Sequence, residues 1–302
     1  MMWRIHPRKS LSALCLGTLV LATLCAFFGF HFSPAHAAAY SVRFAKNIAY
    51  GPQPYEVYDQ CTPVGAPPLR PGIIMIHGGG WSGGYKARYD SACKQYAAEG
   101  YVATTIDYRL APQYQWPDQI GDVQLAVRYM RVNAHQTGLD PNRICSLGDS
   151  AGAQLALLLD EMQTIHSADV AQLYPTISPT VHCVVDQFGP SDLALLYQEV
   201  PAGQKYLYNY LGYTPQADPT VYTDASPVDN ISTQSGQVLI IQGTRDTHVL
   251  PDQSQELQRD LQNAGIAVQY ISYNGDHEYL YLSKQQITAI MAQINSFLVS
   301  VD

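Results

Sequence analysis

Charged side chains are scarce in this sequence, and basic ones are the scarcer kind. Charged residues make up 14% of its 302 residues, with 17 Lys and Arg against 25 Asp and Glu, which gives a formal net charge of −8. A protein that holds nucleic acid through phosphate contacts needs a basic surface, so nucleic acid is not an expected partner. Internal repeats and low-complexity tracts are also absent, and hydrophobic residues make up 47%. This composition indicates a packed globular chain.

Signatures of cofactor binding are missing as well. The glycine run at residues 77–81 (HGGGW) does not end in the GK[ST] of a phosphate-binding loop, which argues against a nucleotide site there. No group of residues suggests a metal site. We therefore expect neither a metal nor an organic cofactor.

The first 37 residues have the pattern of a secretory signal peptide. Basic residues at 4, 8 and 9 precede an apolar run over 11–30, and Ala35-His36-Ala37 supplies small residues for cleavage after Ala37. The apolar run is also long enough to remain as a membrane anchor, which is the alternative. We expect cleavage near Ala37, secretion of residues 38–302 and no stable membrane association afterwards.

Four cysteines remain after that cleavage, and three full pairings are open to them: Cys61, Cys93, Cys145 and Cys183. Cys145 and Cys183 lie in predicted core strands, where a free thiol behaves as a small apolar side chain. Cys61 lies in a predicted surface segment and Cys93 on a predicted helix. We therefore expect Cys61 to pair with Cys93, and the other two to stay free.

From about residue 55, short apolar runs alternate with segments of helical period, the pattern of a mostly parallel sheet with helices on both faces. Strands are predicted over 55–60, 72–77, 101–107, 143–148, 181–187, 237–242 and 267–273, and helices over 87–99, 118–133, 150–163, 251–264 and 283–298. Residues 189–236, rich in Tyr and Pro, interrupt this rhythm before the penultimate strand. We expect them to form a lid insertion within a single catalytic domain that spans 38–302.

The sequence GDSAG at residues 148–152 matches G-x-S-x-G, the turn that presents a nucleophilic serine between a strand and a helix. The motif alone is weak, because short patterns of common residues recur by chance. Its context strengthens it, since an apolar strand pattern enters the motif and a helical pattern leaves it. We interpret Ser150 as a nucleophile rather than as an ordinary helix-capping serine.

The glycine run at 77–81 follows an apolar strand pattern, at the edge where strand ends of a parallel sheet meet the active face. Its backbone N–H groups, with the N–H of Ala151, can hold the negative oxygen of a tetrahedral acyl intermediate. Trp81 ends the run and is the expected substrate-binding residue.

A serine nucleophile needs a base, normally histidine, and a carboxylate that orients the base. Hydrolases with this motif carry them in the order Ser, acid, His. His277 lies in a loop after the last predicted strand and is the expected base. His248 is disfavoured because it lies only two residues beyond Asp246, and His166 and His182 are expected to be structural or exposed.

Asp246 is the expected acid, because it follows the penultimate strand and lies 31 residues before His277. Acid and base should then occupy neighbouring strand ends. Asp192 is the rival, since some hydrolases of this kind place the acid one strand earlier. Asp276 and Glu278 are expected to cap the turn or to stay in solvent.

With these motifs the chain resembles the hormone-sensitive-lipase-like and feruloyl-esterase-like branch of the α/β-hydrolases, from about residue 72 onward. The matching segments are HGGGW (77–81), DYRLAP (107–112), WPDQIGDVQLAVRYMRVNA (from 116), LDPNRI (139–144), GDSAG (148–152), GTRDTHV (243–249) and GDHEY (275–279). The resemblance implies an α/β-hydrolase fold with Ser150, Asp246 and His277 as the triad. It also implies three oxyanion donors, the N–H groups of Gly79, Gly80 and Ala151.

The chain departs from that family in one respect that bears on substrates. Family members carry helices before the first strands that form a cap, whereas only about 34 residues separate Ala37 from Gly72 here. Any roof over the site must then come from residues 189–236. That segment holds six tyrosines that could line the entrance: Tyr197, Tyr206, Tyr208, Tyr210, Tyr213 and Tyr222.

The expected protein is a secreted serine carboxylesterase that acts on small-molecule esters through an acyl-enzyme on Ser150. A small, tyrosine-lined roof gives a long alkyl chain little apolar surface, so short-chain or aromatic, hydroxycinnamate-type acyl groups are expected. The alternatives are a serine peptidase, or a polyester or lipid hydrolase, of the same fold. A non-catalytic binding module is a further alternative, which the presence of all three triad residues disfavours.

Overall fold

The apolar runs of the sequence pair into one eight-stranded sheet. The computed structural model describes residues 39–161 and 173–301, with β1 Val42–Ala49, β2 Val57–Pro63, β3 Arg70–Ile76, β4 Val102–Ile106, β5 Leu139–Asp149, β6 Cys183–Gln187, β7 Gln237–Gly243 and β8 Val268–Tyr273. The strand order is β1-β2-β4-β3-β5-β6-β7-β8, antiparallel where β2 meets β1 and β4, and parallel in every other pair. The predicted mostly parallel sheet is confirmed. The signal-peptide prediction and His166 lie outside the described residues.

Helices connect the parallel strands. They are α1 Asp90–Glu99, α2 Asp118–Val132, α3 Ala134–Thr137, α4 Ala151–Glu161, α5 Leu193–Glu199, α6 Gln204–Leu211, α7 Pro219–Ala225, α8 Pro251–Asn263 and α9 Lys284–Val301. The predicted connecting helices are present with boundaries that shift by a few residues. Among the described helices, none combines the length and apolar character needed to cross a bilayer.

The central strands are buried on both faces, which explains their continuous apolar runs. Successive side chains of a strand point to opposite faces. In β3, Ile74 and Ile76 join the apolar cluster that includes α2, α4 and α8, whereas Ile73 and Met75 join a second cluster with α1 and α9. The helices therefore cover both faces, as the sequence predicts.

The first strand was not predicted from the sequence. β1 pairs antiparallel with β2 at the edge of the sheet, and each of its residues is exposed or only partly buried. An edge strand with one neighbour needs no apolar run, so periodicity alone does not reveal it.

The cysteine expectation is half wrong. Cys61 and Cys93 form a disulfide, as expected, although Cys61 is fully buried rather than in a surface segment. Cys145 and Cys183, expected as free thiols, form a second disulfide. They occupy directly opposed positions of β5 and β6 with Cα atoms 4.6 Å apart, within the range that a disulfide accepts. The register between β5 and β6 decides this pairing, and that register cannot be read from the sequence.

The insertion packs against the same apolar cluster as α4, the helix that follows Ser150. Within residues 189–236, the helices α5, α6 and α7 contribute Leu193, Leu207, Tyr210 and Tyr222 to that cluster. Each of these three helices is therefore anchored in the core by at least one side chain.

A buried carboxylate lies at the end of β6. Asp186 is fully buried; its Oδ1 accepts the Gly189 N–H at 2.8 Å, and its Oδ2 has no hydrogen-bond partner among the described residues. Burial raises the pKa of Asp186 to about 7, against the opposing effect of the Gly189 hydrogen bond. Burial also raises the pKa values of the neighbouring Asp160 and Glu161.

We expect Asp186→Asn to flatten the pH dependence of stability between pH 5 and pH 8. A raised carboxyl pKa means that the folded state binds a proton more tightly than the unfolded state, so stability is lost as pH rises through about 7. The asparagine cannot ionise, so the variant should gain on the order of 1–3 kcal/mol relative to wild type at pH 8. Urea denaturation at both pH values measures this gain. Asp224→Asn, at an exposed position, is the control. The expectation would be contradicted if the free energy of unfolding changed equally with pH in Asp186→Asn and in wild type.

Candidate active site

Ser150 lies in a sharp turn between β5 and α4. Its φ of 52° is in the left-handed region, which a non-glycine residue occupies only when its surroundings hold it there. The Ser150 N–H donates to the Gln187 carbonyl at 2.9 Å. A Cβ on Gly152 would lie 2.2 Å from the Ile76 oxygen, and one on Gly148 would lie 2.3 Å from the Gly152 oxygen. The two glycines of the motif are therefore required by backbone contact.

A continuous hydrogen-bonded relay runs from this serine to a buried carboxylate. Ser150 Oγ lies 2.9 Å from His277 Nε2, and His277 Nδ1 lies 2.7 Å from Asp246 Oδ2. His277 is 7% exposed and Asp246 is 2% exposed, so the contact between these two side chains is largely shielded from bulk water. The structure thus brings together the three residues that the sequence placed in a triad.

Further contacts hold Asp246 and His277 in place. Asp246 Oδ1 accepts the backbone N–H groups of His248 and Val249, each at 2.9 Å. The ring of Phe188 packs edge-on against the His277 ring, with centroids 4.8 Å apart. The carboxylate has no freedom to turn away, and the imidazole is fixed with one nitrogen on the acid and the other on Ser150.

The rival residues have other roles in the described structure. His248 stacks on His277 at 5.1 Å but makes no hydrogen bond to Ser150. Asp192 caps α5 by accepting the Leu195 N–H. His182 contacts the Val301 carbonyl near the C-terminal end of α9. Asp276 caps the turn before His277 by accepting its N–H, and Glu278 is exposed beside Arg88.

The glycine loop lies directly beside Ser150. Gly79, Gly80 and Trp81 all have positive φ, at 121°, 58° and 55°. At the start of the loop, the Gly78 N–H donates to Asp149 Oδ1 at 2.9 Å, which ties the loop to the residue before Ser150. Within the described residues, the N–H groups of Gly79, Gly80 and Ala151 donate to no protein acceptor, and all three residues line the cavity above Ser150.

That cavity has a volume of about 720 Å³. One wall comes from the insertion and includes Leu196, Val200, Tyr206 and Leu207. The opposite wall follows β7 and β8 and includes Thr247, His248, Val249 and Leu280. The site therefore has an apolar side under the insertion and a more polar side beside His277.

The expected tyrosine-lined entrance is only partly present. Of the six tyrosines, only Tyr206 lines the cavity. Tyr210 and Tyr222 are buried, Tyr197 packs against the apolar cluster partly buried, and Tyr208 and Tyr213 are exposed without lining the cavity. Trp81 lines the cavity but is only 3% exposed, because Tyr210 stacks on it at 4.4 Å. Aliphatic side chains, rather than flat rings, supply most of the apolar wall.

One cluster in the described residues has the residue types of a cation site. Oxygen and nitrogen atoms of Asp246, His248 and Asp276 lie within 4.8 Å of one another. Both Asp246 oxygens already accept hydrogen bonds, and Asp276 Oδ1 accepts the N–H groups of Thr247 and His277. The Asp246 carboxylate therefore belongs to the relay, and the Asp276 carboxylate holds the backbone around Thr247 and His277.

The chain is similar to curated esterases. It is 30% identical to Esterase LipC of Mycobacterium tuberculosis over 69% of this chain and 53% of that protein. It is 25% identical to the isoprenylcysteine alpha-carbonyl methylesterase ICME of Arabidopsis thaliana over 82% of this chain and 60% of that protein. The chain thus spans between about half and three fifths of the length of these two relatives.

A solved structure and a family model extend this similarity. A truncated carbohydrate esterase from gut microbiota superposes with a TM-score of 0.73 at 25% identity, over 88% of this chain and 98% of that one. The fold is thus that of the α/β-hydrolases, as the sequence motifs imply. The BD-FAE family model matches residues 60–261, which include the glycine loop, Asp246 and the turn that carries Ser150. The chain belongs to the BD-FAE family.

Proposed function

We propose that this protein is a serine carboxylesterase, with Ser150 as nucleophile, His277 as base and Asp246 as the orienting acid. The observation that carries the proposal is the relay of 2.9 Å and 2.7 Å contacts, which opens on a cavity of about 720 Å³. The relatives support it, since the three names reported above are those of an esterase, a methylesterase and a carbohydrate esterase.

In the proposed reaction, His277 Nε2 takes the proton of Ser150 as Oγ bonds to the ester carbonyl carbon. The carbonyl oxygen becomes an anion that the N–H groups of Gly79, Gly80 and Ala151 stabilise. His277 then protonates the alcohol oxygen as the C–O bond breaks, which leaves the acyl group on Ser150. Water, deprotonated by His277, adds to this acyl-enzyme, and the acid departs as Ser150 regains its proton.

The walls of the cavity favour small acyl groups. Leu196, Val200 and Leu207 offer an apolar surface under the insertion, and Trp81, on which the buried Tyr210 stacks, lines the cavity beside the glycine loop. A long alkyl chain would leave this enclosed surface, and each CH₂ left in water forgoes about 0.8 kcal/mol. We therefore propose short-chain or aromatic, hydroxycinnamate-type esters as substrates.

Ser150→Ala should lower kcat for p-nitrophenyl acetate by roughly 10⁴-fold or more while the fold, measured by circular dichroism, is unchanged. His277→Ala should be about as damaging, because the serine then has no base. His248→Ala is the matched control, with a ring in the same cavity but no contact with Ser150, and should cost about tenfold or less. Retained activity in a folded Ser150→Ala protein, or an exchange of behaviour between the two histidine variants, would refute the assignment.

An ester panel tests the proposed substrate range. The kcat/KM for p-nitrophenyl acetate or butyrate should exceed that for palmitate by at least about 10²-fold, since most of the palmitoyl chain would stay exposed. Methyl ferulate should be hydrolysed, because one aromatic ring fits within the cavity. Palmitate as the best substrate would reveal an acyl tunnel that this cavity does not provide.

We also propose that the protein is exported and processed near Ala37. Two disulfides among the described residues support this, because such bonds persist mainly in oxidising compartments. Protein recovered from the culture medium should begin near residue 38 and have no free thiol, as measured by intact mass after alkylation without reduction. A retained N-terminus would point to the membrane-anchor alternative, and alkylated Cys145 or Cys183 would contradict the second disulfide.

A further inference from the structure

One buried amide contacts three separate parts of the active-site region. Gln154 lies in α4, one turn beyond Ser150, and is fully buried. Its Oε1 accepts the indole N–H of Trp81 at 3.0 Å and lies 3.5 Å from the Tyr210 hydroxyl. Its Nε2 donates to the Ala225 carbonyl at 2.7 Å. The nucleophile helix, the glycine loop and the insertion therefore meet at this side chain.

The Trp81 contact matters because Trp81 directly follows Gly79 and Gly80. Glycine backbones are intrinsically free, so a loop that must hold two N–H groups in place needs anchors at its ends. The Gly78 end is tied to Asp149. At the other end, the Trp81 carbonyl accepts the Ala111 N–H at 2.8 Å, and the Trp81 indole binds Gln154.

The same amide also holds the insertion. Tyr210, in α6, stacks on Trp81 with an interplanar angle of 2°, and its carbonyl accepts the Trp116 N–H at 2.8 Å. Ala225 is the last residue of α7. A displacement of α6 or α7 would therefore disturb the Gln154 contacts and, through Trp81, the glycine loop.

We propose that Gln154 is a positioning residue that fixes the oxyanion donors and couples them to the insertion. This inference rests on the proposed esterase function, because it concerns the N–H groups that would stabilise the tetrahedral intermediate. Donors that are already in place when the charge develops require no reorganisation, so a loosened loop mainly weakens binding of the transition state. Loss of Gln154 should therefore affect kcat more than KM.

Gln154→Met, which keeps the volume but removes the polar contacts to Trp81, Tyr210 and Ala225, should lower kcat for p-nitrophenyl acetate by about tenfold and change KM by less than about threefold. The fluorescence of Trp81 is obtained by subtracting the emission spectrum of the Trp81→Phe protein. Its wavelength should shift in Gln154→Met, because the indole N–H has lost its acceptor. Gln253→Met is the matched control. Gln253 is an equally buried glutamine that binds Ser191 and Asp192 at the base of the insertion but does not contact the glycine loop. It should reduce the melting temperature while leaving kcat within about twofold.

A double-mutant comparison separates positioning from general destabilisation. In a Trp81→Phe background, which lacks the indole N–H, Gln154→Met should lower kcat by about threefold or less instead of tenfold. Equal losses in both backgrounds, or an unchanged kcat in a folded Gln154→Met protein, would overturn the proposal. If Gln154→Met does not fold, Trp81→Phe alone decides, since a wild-type kcat in that variant would also overturn it. Ser150→Ala is measured in the same series. Retained activity in that variant would refute the esterase assignment itself, independently of the result for Gln154.

Discussion

The backbone contact at the crossing of β5, α4 and β3 is the constraint on which the site depends. Gly152 approaches the Ile76 carbonyl so closely that a methyl group would overlap with it. This contact brings the start of α4 against the end of β3, and the glycine loop leaves β3 immediately beyond that point. Ser150 and the N–H groups of Gly79 and Gly80 are thus neighbours because of backbone packing, before any side-chain contact is considered.

The parallel order of β5, β6, β7 and β8 brings the remaining groups to the same edge. Parallel strands end on one side of the sheet, so the residues after four neighbouring strands meet there. Ser150 follows β5, Phe188 follows β6, Asp246 follows β7 and His277 follows β8. The insertion also begins after β6 at this edge, which explains why its helices wall the cavity rather than cover a distant face.

The sequence contained the parts of the site that depend on chain order and local motif. The G-x-S-x-G turn, the glycine run and the acid-before-histidine order were enough to place Ser150, Asp246 and His277, and Asp192 proves to be a helix cap. Strand register and cavity boundaries are tertiary properties, so the Cys145–Cys183 pairing and the tyrosines that face the cavity could not be derived. The role of Gln154 was not predicted, although the sequence contains an indication of it. A glutamine within the apolar helix segment AGAQLALLL is a polar group that must find hydrogen-bond partners when it is buried.

The contacts of Gln154 also bear on how the insertion behaves. Inside a core, a polar group without a partner costs about 1–3 kcal/mol, so any displacement of the insertion that separated Gln154 from Ala225 and Tyr210 would be opposed. The stacking of Tyr210 on Trp81 and the backbone bond to Trp116 add to that resistance. These contacts tie the insertion, which walls the cavity, to α4 and the glycine loop. Leu196, Val200 and Tyr206 line the cavity from the insertion. Substitutions there should reshape the apolar side of the cavity without moving the relay, because the relay is positioned by the edge of the sheet.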